Sequence, residues 1–162
     1  SYFTPANETI KIMQDNAKGV PALLTSDAVV KALHAVGATR VALATPRTDF
    51  VNKRETEWLM DKGFEVVSVE SLQLGSTASE RASIGHVPSK IVERLAEKAD
   101  CPEADAVFIS CTNLPSLTVI KSLEKQLGKP VITSNQALLW QCLRTLQLTD
   151  DIYGYGRLLE DL

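Results

Sequence analysis

Four short apolar runs separated by helical repeats are the feature of this sequence that most constrains its fold. The runs at residues 40–45 and 106–109 are hydrophobic almost throughout, as strands are when helices cover both faces of a sheet. The other two predicted strands cover residues 64–69 and 130–133. Because strands that alternate with helices form βαβ units, the pattern predicts an α/β fold with a parallel sheet flanked by helices.

Capping residues, prolines and glycines mark where the predicted helices between these strands begin and end. The predicted helices cover residues 7–17, 25–36, 50–62, 115–127 and 135–146, and a further helix begins at Pro88. The N-cap of the second helix is predicted among Thr25, Ser26 and Asp27, and Ser134 and Asn135 are predicted to cap the last helix. Pro115 is predicted to open the helix that Gly128 closes, because proline is tolerated in a first turn and glycine favours a helix end.

Composition excludes several classes of protein. The chain has 162 residues and a formal net charge of −3, so it lacks the basic surface that nucleic-acid binding needs. No apolar run approaches the roughly 18 residues of a membrane span. Its three cysteines form neither a CxxC pair nor a zinc spacing, and their odd number argues against a disulfide framework, so we expect a reducing, cytoplasmic setting and no metal site. The chain opens at Ser1 without a methionine, and we expect it to be part of a longer protein.

Cys111 is the residue to which the sequence most readily assigns chemistry. It follows the predicted strand 106–109 and precedes the predicted helix 115–127. Ligands of α/β proteins collect at this edge of the sheet, and the N-terminus of a helix stabilises a thiolate. The alternative is a structural cysteine, since free cysteines are often small buried core residues. The residues alone leave both interpretations open.

Polar turns follow several predicted strands at the same edge. These turns contain Thr25 and Ser26; Thr45, Pro46, Arg47 and Thr48; Ser110, Cys111, Thr112 and Asn113; and Thr133, Ser134 and Asn135. Hydroxyls and amides before helix N-termini, together with one guanidinium, suit a carboxylate or a phosphate. Ordinary helix capping explains each turn equally well when it is taken by itself. Glu55 and its acidic neighbours are predicted to form a solvated helix face, and neither a dinucleotide-binding nor a P-loop motif is present.

Three segments resemble a known group of enzymes. Residues 41–46 (VALATP), 109–117 (ISCTNLPSL) and 154–159 (GYGRLL) resemble the aspartate/glutamate racemase superfamily, and the similarity is greatest to its maleate cis–trans isomerase and arylmalonate decarboxylase branch. This resemblance implies two similar α/β lobes with an active site between them and no cofactor. It also implies one cysteine on each lobe in the racemases and isomerases, with Cys111 as the second.

The resemblance further implies how this chain is divided. Residues 1–19 are then a remnant of the N-terminal lobe, residues 20–133 are the Rossmann-like lobe that carries Cys111, and residues 134–162 return to the N-terminal lobe. The partner cysteine is expected upstream of Ser1. Three positions depart from the pattern of this branch: Arg47 stands where a tyrosine is usual, and Thr112 and Asn113 replace the glycine pair of the decarboxylases.

These observations lead to one main hypothesis and two alternatives. The main one is a cofactor-independent isomerase or racemase of a small mono- or dicarboxylic acid, similar to maleate isomerase and catalysed by Cys111. The alternatives are an arylmalonate-type decarboxylase and a non-catalytic carboxylate-binding module. The expected substrate-binding residues are Thr25, Ser26, Thr45, Pro46, Arg47, Thr112 and Asn113. Cys101 and Cys142 are expected to be structural, and a homo-oligomer is compatible with the sequence.

Overall fold

A computed structural model describes residues 6–148 and 150–160, so the outermost parts of the predicted segments 1–19 and 134–162 lie outside the description. The helices are α1 (Ala6–Asn16), α2 (Thr25–Ala35), α3 (Asp49–Asp61), α4 (Ala78–Ser83), α5 (Ser89–Ala99), α6 (Ile120–Leu127), α7 (Ser134–Thr145) and α8 (Arg157–Glu160). The strands are β1 (Arg40–Thr45), β2 (Glu65–Ser71), β3 (Ala106–Ile109) and β4 (Val131–Thr133). None of the helices in the described ranges is long and apolar enough to cross a membrane.

The four strands form one parallel sheet in the order β2-β1-β3-β4. Leu43 of β1 lies opposite Phe108 of β3, which in turn lies opposite Ile132 of β4. The prediction of an α/β fold with a parallel sheet flanked by helices is therefore confirmed. Because all strands run the same way, every strand-to-helix turn lies at one edge of the sheet.

Helices cover both faces of the sheet. Val41 and Leu43 point to one face, where they pack with α2, α3, α7 and α8, whereas Ala42 and Ala44 point to the other, where they pack with α5 and α6. This alternation follows from the two-residue period of a strand. Phe108 is fully buried between the first set of helices and the sheet, and burying a side chain of this size stabilises the fold by roughly 1.5–3 kcal/mol.

One predicted boundary near Cys111 is wrong. The helix predicted from Pro115 begins as a 3₁₀ turn over Leu117–Val119, and α6 itself begins only at Ile120. Its end at Gly128 is as predicted: this glycine adopts a left-handed conformation (φ 70°), and its N–H donates to the carbonyl of Glu124. The chain between Cys111 and Pro115 is therefore a turn rather than the start of a helix.

Candidate active site

A cavity of about 400 Å³ opens at the carboxyl edge of the sheet. It is lined by Thr25, Ser26, Val29, Arg47, Val51, Glu55, Ser110, Cys111, Thr112 and Ser134. This volume falls within the range of roughly 300–1,000 Å³ that small-molecule sites occupy. Five of the eight residues predicted to form the site therefore surround one cavity: Thr25, Ser26, Arg47, Cys111 and Thr112.

Cys111 is held at the cavity by an unusual backbone conformation. Its φ is 120°, a region that residues other than glycine rarely occupy, and its side chain is 9% exposed. The Cys111 N–H donates to Oγ of Ser134 at 3.2 Å, and its carbonyl accepts from the N–H of Leu114 at 3.1 Å. Such a conformation costs about 1–3 kcal/mol and persists only where the surroundings impose it. The thiol is thus both part of the core and part of the cavity wall.

The guanidinium of Arg47 lies against this sulfur. Its Nη2 donates to Sγ of Cys111 at 3.4 Å. Two hydrogen bonds fix the backbone of Arg47. Its N–H donates to Oγ1 of Thr45 at 2.8 Å, and its carbonyl accepts from Nδ2 of Asn52 at 3.3 Å. The Thr45 hydroxyl in turn donates to Oδ1 of Asn52 at 2.9 Å, which completes a buried network. The arrangement places a positive charge against the sulfur of Cys111.

Two helix N-termini converge on the cavity, and neither belongs to the helix that follows Cys111. Thr25 and Ser26 are the first two residues of α2, whose N-cap is Leu24, so the prediction that they cap this helix is wrong. Ser134 is likewise the first residue of α7, and Thr133 caps this helix in a reciprocal capping box with Gln136. The first N–H groups of a helix have no partner within it, and its N-terminus carries a positive partial charge. The cavity therefore suits an anion.

Glu55 is a site residue that the sequence analysis assigned wrongly. It is 1% exposed, lines the cavity, and accepts a hydrogen bond from Oγ of Ser110, so it does not belong to a solvated face. The signal was present in the sequence, because Asn52, Glu55 and Leu59 recur at helical spacing and all three are buried on α3. The charge of Glu55 and its acidic neighbours favoured the surface interpretation, whereas the spacing was the better guide.

Three of the predicted site residues lie outside the cavity wall. Thr45 is completely buried and supports Arg47 through the hydrogen bonds described above, and Pro46 is also buried. Asn113 faces away from Cys111: its Nδ2 donates to the carbonyl of Arg81 at 3.2 Å. Within the described residues, no group of three or more His, Cys, Asp or Glu side chains is arranged to hold a metal ion.

Proteins of known function are similar to this chain over most of its length. Residues 3–159 match the family model of arylmalonate decarboxylase. The chain is 33% identical over 144 residues to maleate isomerase of Nocardia farcinica, covering 87% of this chain and 56% of that protein. It is 32% identical over 157 residues to arylmalonate decarboxylase of Bordetella bronchiseptica, covering 96% of this chain and 64% of that protein. The chain thus spans between half and two thirds of the length of these relatives.

Solved structures show the same architecture. A mutant of arylmalonate decarboxylase in its liganded form superimposes with a TM-score of 0.85 at 30% identity, covering 95% of this chain and 65% of that one. A mutant of Nocardia farcinica maleate cis–trans isomerase with a covalently bound succinylcysteine intermediate superimposes with a TM-score of 0.84 at 27% identity, covering 95% of this chain and 63% of that one. On the match of residues 3–159 to the family model, the chain belongs to the arylmalonate decarboxylase family.

Proposed function

We propose that the complete protein is a cofactor-independent isomerase or racemase of a small carboxylic acid, similar to maleate isomerase, in which Cys111 is catalytic. The observation that carries the proposal is the contact between Sγ of Cys111 and Nη2 of Arg47 at 3.4 Å in the wall of a 400 Å³ cavity. A buried thiol without a function needs neither a cation nor a cavity beside it.

In this proposal the substrate carboxylate is held by the N-terminus of α2 and by Arg47. The hydroxyls of Thr25 and Ser26 and the first N–H groups of α2 supply hydrogen-bond donors. A guanidinium adds two donors in a plane that matches a carboxylate. Thr112 and Ser134 also line the cavity and complete its polar wall. The reacting carbon then lies beside the sulfur.

Cys111 has two available roles. As a thiolate it removes the proton from the carbon next to the carboxylate, the C–H electron pair moves into an enediolate, and a proton delivered to the opposite face completes an inversion. With a cis alkene, the thiolate adds to one carbon, rotation occurs about the resulting single bond, and loss of the thiolate restores the double bond as trans. Both routes place negative charge on the carboxylate, where the helix N-termini and Arg47 stabilise it.

The relatives are longer than this chain. In this proposal a second lobe, outside the present sequence, contacts the face of the substrate that points away from Cys111. This lobe supplies the group that donates or accepts the second proton. The covalently bound succinylcysteine in the maleate isomerase relative supports thiol addition as chemistry within this family. A small carboxylate is the proposed partner, and a cytoplasmic location and a homo-oligomeric state are proposed with it.

The test uses the full-length protein with maleate, aspartate and phenylmalonate. Turnover is measured by loss of maleate absorbance, by polarimetry of aspartate, and by release of carbon dioxide from phenylmalonate. Cys111→Ala is expected to lower kcat by at least about 100-fold, whereas the matched control Cys142→Ala, a half-buried thiol on α7, is expected to retain it. Full activity of Cys111→Ala contradicts the proposal. Binding of carboxylates without turnover of any substrate would identify a non-catalytic binding module instead.

Decarboxylation of an arylmalonate is the second candidate function. It is supported by the match to the arylmalonate decarboxylase model over residues 3–159 and by the 32% identity to the Bordetella bronchiseptica enzyme. A decarboxylase needs only one proton donor, because the departing carbon dioxide leaves the electron pair that this donor protonates. Release of carbon dioxide from phenylmalonate without activity on maleate or aspartate favours this candidate over the first.

A further inference from the structure

The first turn of α7 binds the backbone of the turn that carries Cys111. Oγ of Ser134 accepts a hydrogen bond from the Cys111 N–H at 3.2 Å, and Nδ2 of Asn135 donates to the carbonyl of Thr112 at 3.0 Å. Ser134 is 5% exposed, so little water competes for the first of these bonds. Two consecutive residues of one helix thus hold two consecutive residues of the turn.

This helix is well fixed in the fold. Thr133 and Gln136 close its N-terminus in a reciprocal capping box. One turn further along, Ala137 and Trp140 are buried in the same part of the core as α2. The hydroxyl of Ser134 is therefore presented from a support that the rest of the structure holds in place.

The backbone of Cys111 needs such a support. Its φ of 120° is a conformation that persists in a residue with a Cβ only where the surroundings impose it. Within the described residues its backbone makes two hydrogen bonds, and only the one to Ser134 reaches another element, since the other joins its carbonyl to the N–H of Leu114 in the same turn. A change in φ alters the direction of the Cα–Cβ bond relative to β3. Relaxation of this torsion therefore carries the sulfur away from Nη2 of Arg47, which it contacts at 3.4 Å.

We propose that Ser134 is a positioning residue for Cys111. By accepting the Cys111 N–H, its hydroxyl keeps the backbone in the conformation that places the sulfur against Arg47, and the reactivity of the thiol depends on this bond. This role is separate from the place of Ser134 in the polar wall of the cavity, because it acts through Cys111 and not through the substrate. The proposal deepens the function proposed for Cys111 and rests on it for the importance of the thiol.

A double-mutant cycle of Ser134→Ala and Arg47→Gln in the full-length protein tests this role. The measured quantity is the second-order rate constant for alkylation of Cys111 by iodoacetamide near neutral pH, and this reagent is uncharged, so its reaction does not need the carboxylate-binding wall. Ser134→Ala is expected to lower the rate constant by roughly fivefold. In the Arg47→Gln protein the same substitution is expected to lower it by less than about twofold, because the contact that Ser134 preserves is already lost. Equal factors in the two backgrounds, or an unchanged or higher rate constant in Ser134→Ala, overturn the proposal.

Two further variants separate the hydroxyl from the shape of the side chain. Ser134→Thr keeps the acceptor and is expected to retain the rate constant to within about twofold. Ser122→Ala is the matched control, since this serine of α6 donates to Oε1 of Glu93 and to the carbonyl of Val119, and its loss is expected to leave alkylation unchanged. A decrease in Ser134→Thr as large as that in Ser134→Ala overturns the proposal. Turnover that survives in Cys111→Ala contradicts the proposed function instead and leaves the alkylation result intact, so the two failures are distinguished.

Discussion

The guanidinium of Arg47 donates a hydrogen bond to the sulfur of Cys111 across 64 residues of sequence, at 3.4 Å. The two residues lie in turns that follow the adjacent parallel strands β1 and β3, so the topology of the sheet brings them together. Asn52 on α3 and Thr45 at the end of β1 then fix the backbone of Arg47. The cation and the thiol are therefore brought into contact by the packing of two strands, and not by residues that are close together in the sequence.

Removal of the Arg47 charge is expected to slow the reaction of Cys111 with iodoacetamide. The sulfur reacts as the thiolate, and the guanidinium in contact with it stabilises negative charge at that place. Arg47→Gln is therefore expected to lower the second-order rate constant of alkylation near neutral pH by about tenfold, and Arg47→Lys by less. Mass spectrometry of the alkylated peptide separates Cys111 from Cys101 and Cys142.

Arg94→Gln is the control for this comparison, because Arg94 is an exposed residue on α5, which packs on the other part of the core. Its alkylation rate is expected to equal that of the unmodified protein. An unchanged rate in Arg47→Gln would mean that the observed contact does not influence the reactivity of the thiol, and the role assigned to Arg47 would then be lost.

The strands were predictable from sequence because their signals are local. Residues 40–45 and 106–109 were predicted with the boundaries that the structure gives, since a continuous apolar run bounded by turn residues has few alternatives. The start of α6 was not predictable in this way. Pro115 is compatible with a first helical turn, yet the chain turns there instead, and the helix begins at Ile120, which is fully buried against the sheet. Tertiary packing decided the boundary.

The site was predictable in part, for a related reason. The topology of a parallel sheet was enough to bring Arg47, Cys111 and Thr112 to one edge, because they follow β1 and β3. Thr25 also reaches the cavity, but the prediction that it follows a strand is wrong: it begins α2, and no strand of the described sheet precedes it. The direction of each side chain depends on contacts that lie far apart in sequence, and Asn113 turns away to the carbonyl of Arg81 for that reason. Helix spacing predicted a buried position for Glu55, but charge is a strong argument for the surface unless a cavity is known to be there.

The backbone of Cys111 gives a stability prediction that does not depend on catalysis. At a φ of 120° an alanine retains the steric cost of a Cβ, of about 1–3 kcal/mol, whereas a glycine does not. Cys111→Gly is therefore expected to have a free energy of unfolding about 1 kcal/mol higher than Cys111→Ala, even after the entropy of glycine in the unfolded chain is counted. Urea denaturation of the two variants measures the difference.

Cys142 on α7 is the control, because the same two substitutions are expected to have the opposite order of stability there. In an α-helix glycine is less favourable than alanine by about 1 kcal/mol, so Cys142→Gly is expected to be the less stable of that pair. If glycine is less stable than alanine at both positions, the strained conformation of Cys111 is not a property of the folded protein in solution.

Asp105 at the amino edge of the sheet makes the stability depend on pH. Its carboxylate accepts from Nη2 of Arg40 at 2.8 Å, from the N–H of Arg40 at 2.8 Å, and from the hydroxyl of Thr39 at 2.8 Å. These hydrogen bonds, that of the Arg40 side chain first, hold the pKa of Asp105 well below its usual value. A lowered pKa in the folded state stabilises the protein above the unfolded pKa of about 3.9, and this contribution is lost as the pH falls below it.

Asp105→Asn is accordingly expected to lower the free energy of unfolding at pH 7 and to flatten its decline between about pH 5 and pH 2. The measurement is urea denaturation over that range of pH. Asp61→Asn, at the exposed end of α3, is the control and is expected to keep the steeper decline. Parallel pH profiles for Asp105→Asn and the unmodified protein would show that the link between the starts of β1 and β3 contributes nothing to acid stability.

The last prediction concerns Gly156, where the C-terminal segment packs closely against α6. A Cβ added at Gly156 would clash with Cγ2 of Ile120, a fully buried side chain, whereas a Cβ added at Gly154 would meet nothing within 4 Å. The two glycines have similar positive φ values, 92° and 96°, so the cost of that conformation is common to both. Gly156→Ala is therefore expected to lower the free energy of unfolding by about 1–3 kcal/mol more than Gly154→Ala, because only the first variant must displace the core. Urea denaturation of both variants measures this difference, and equal values would mean that the segment can move away from Ile120 without loss.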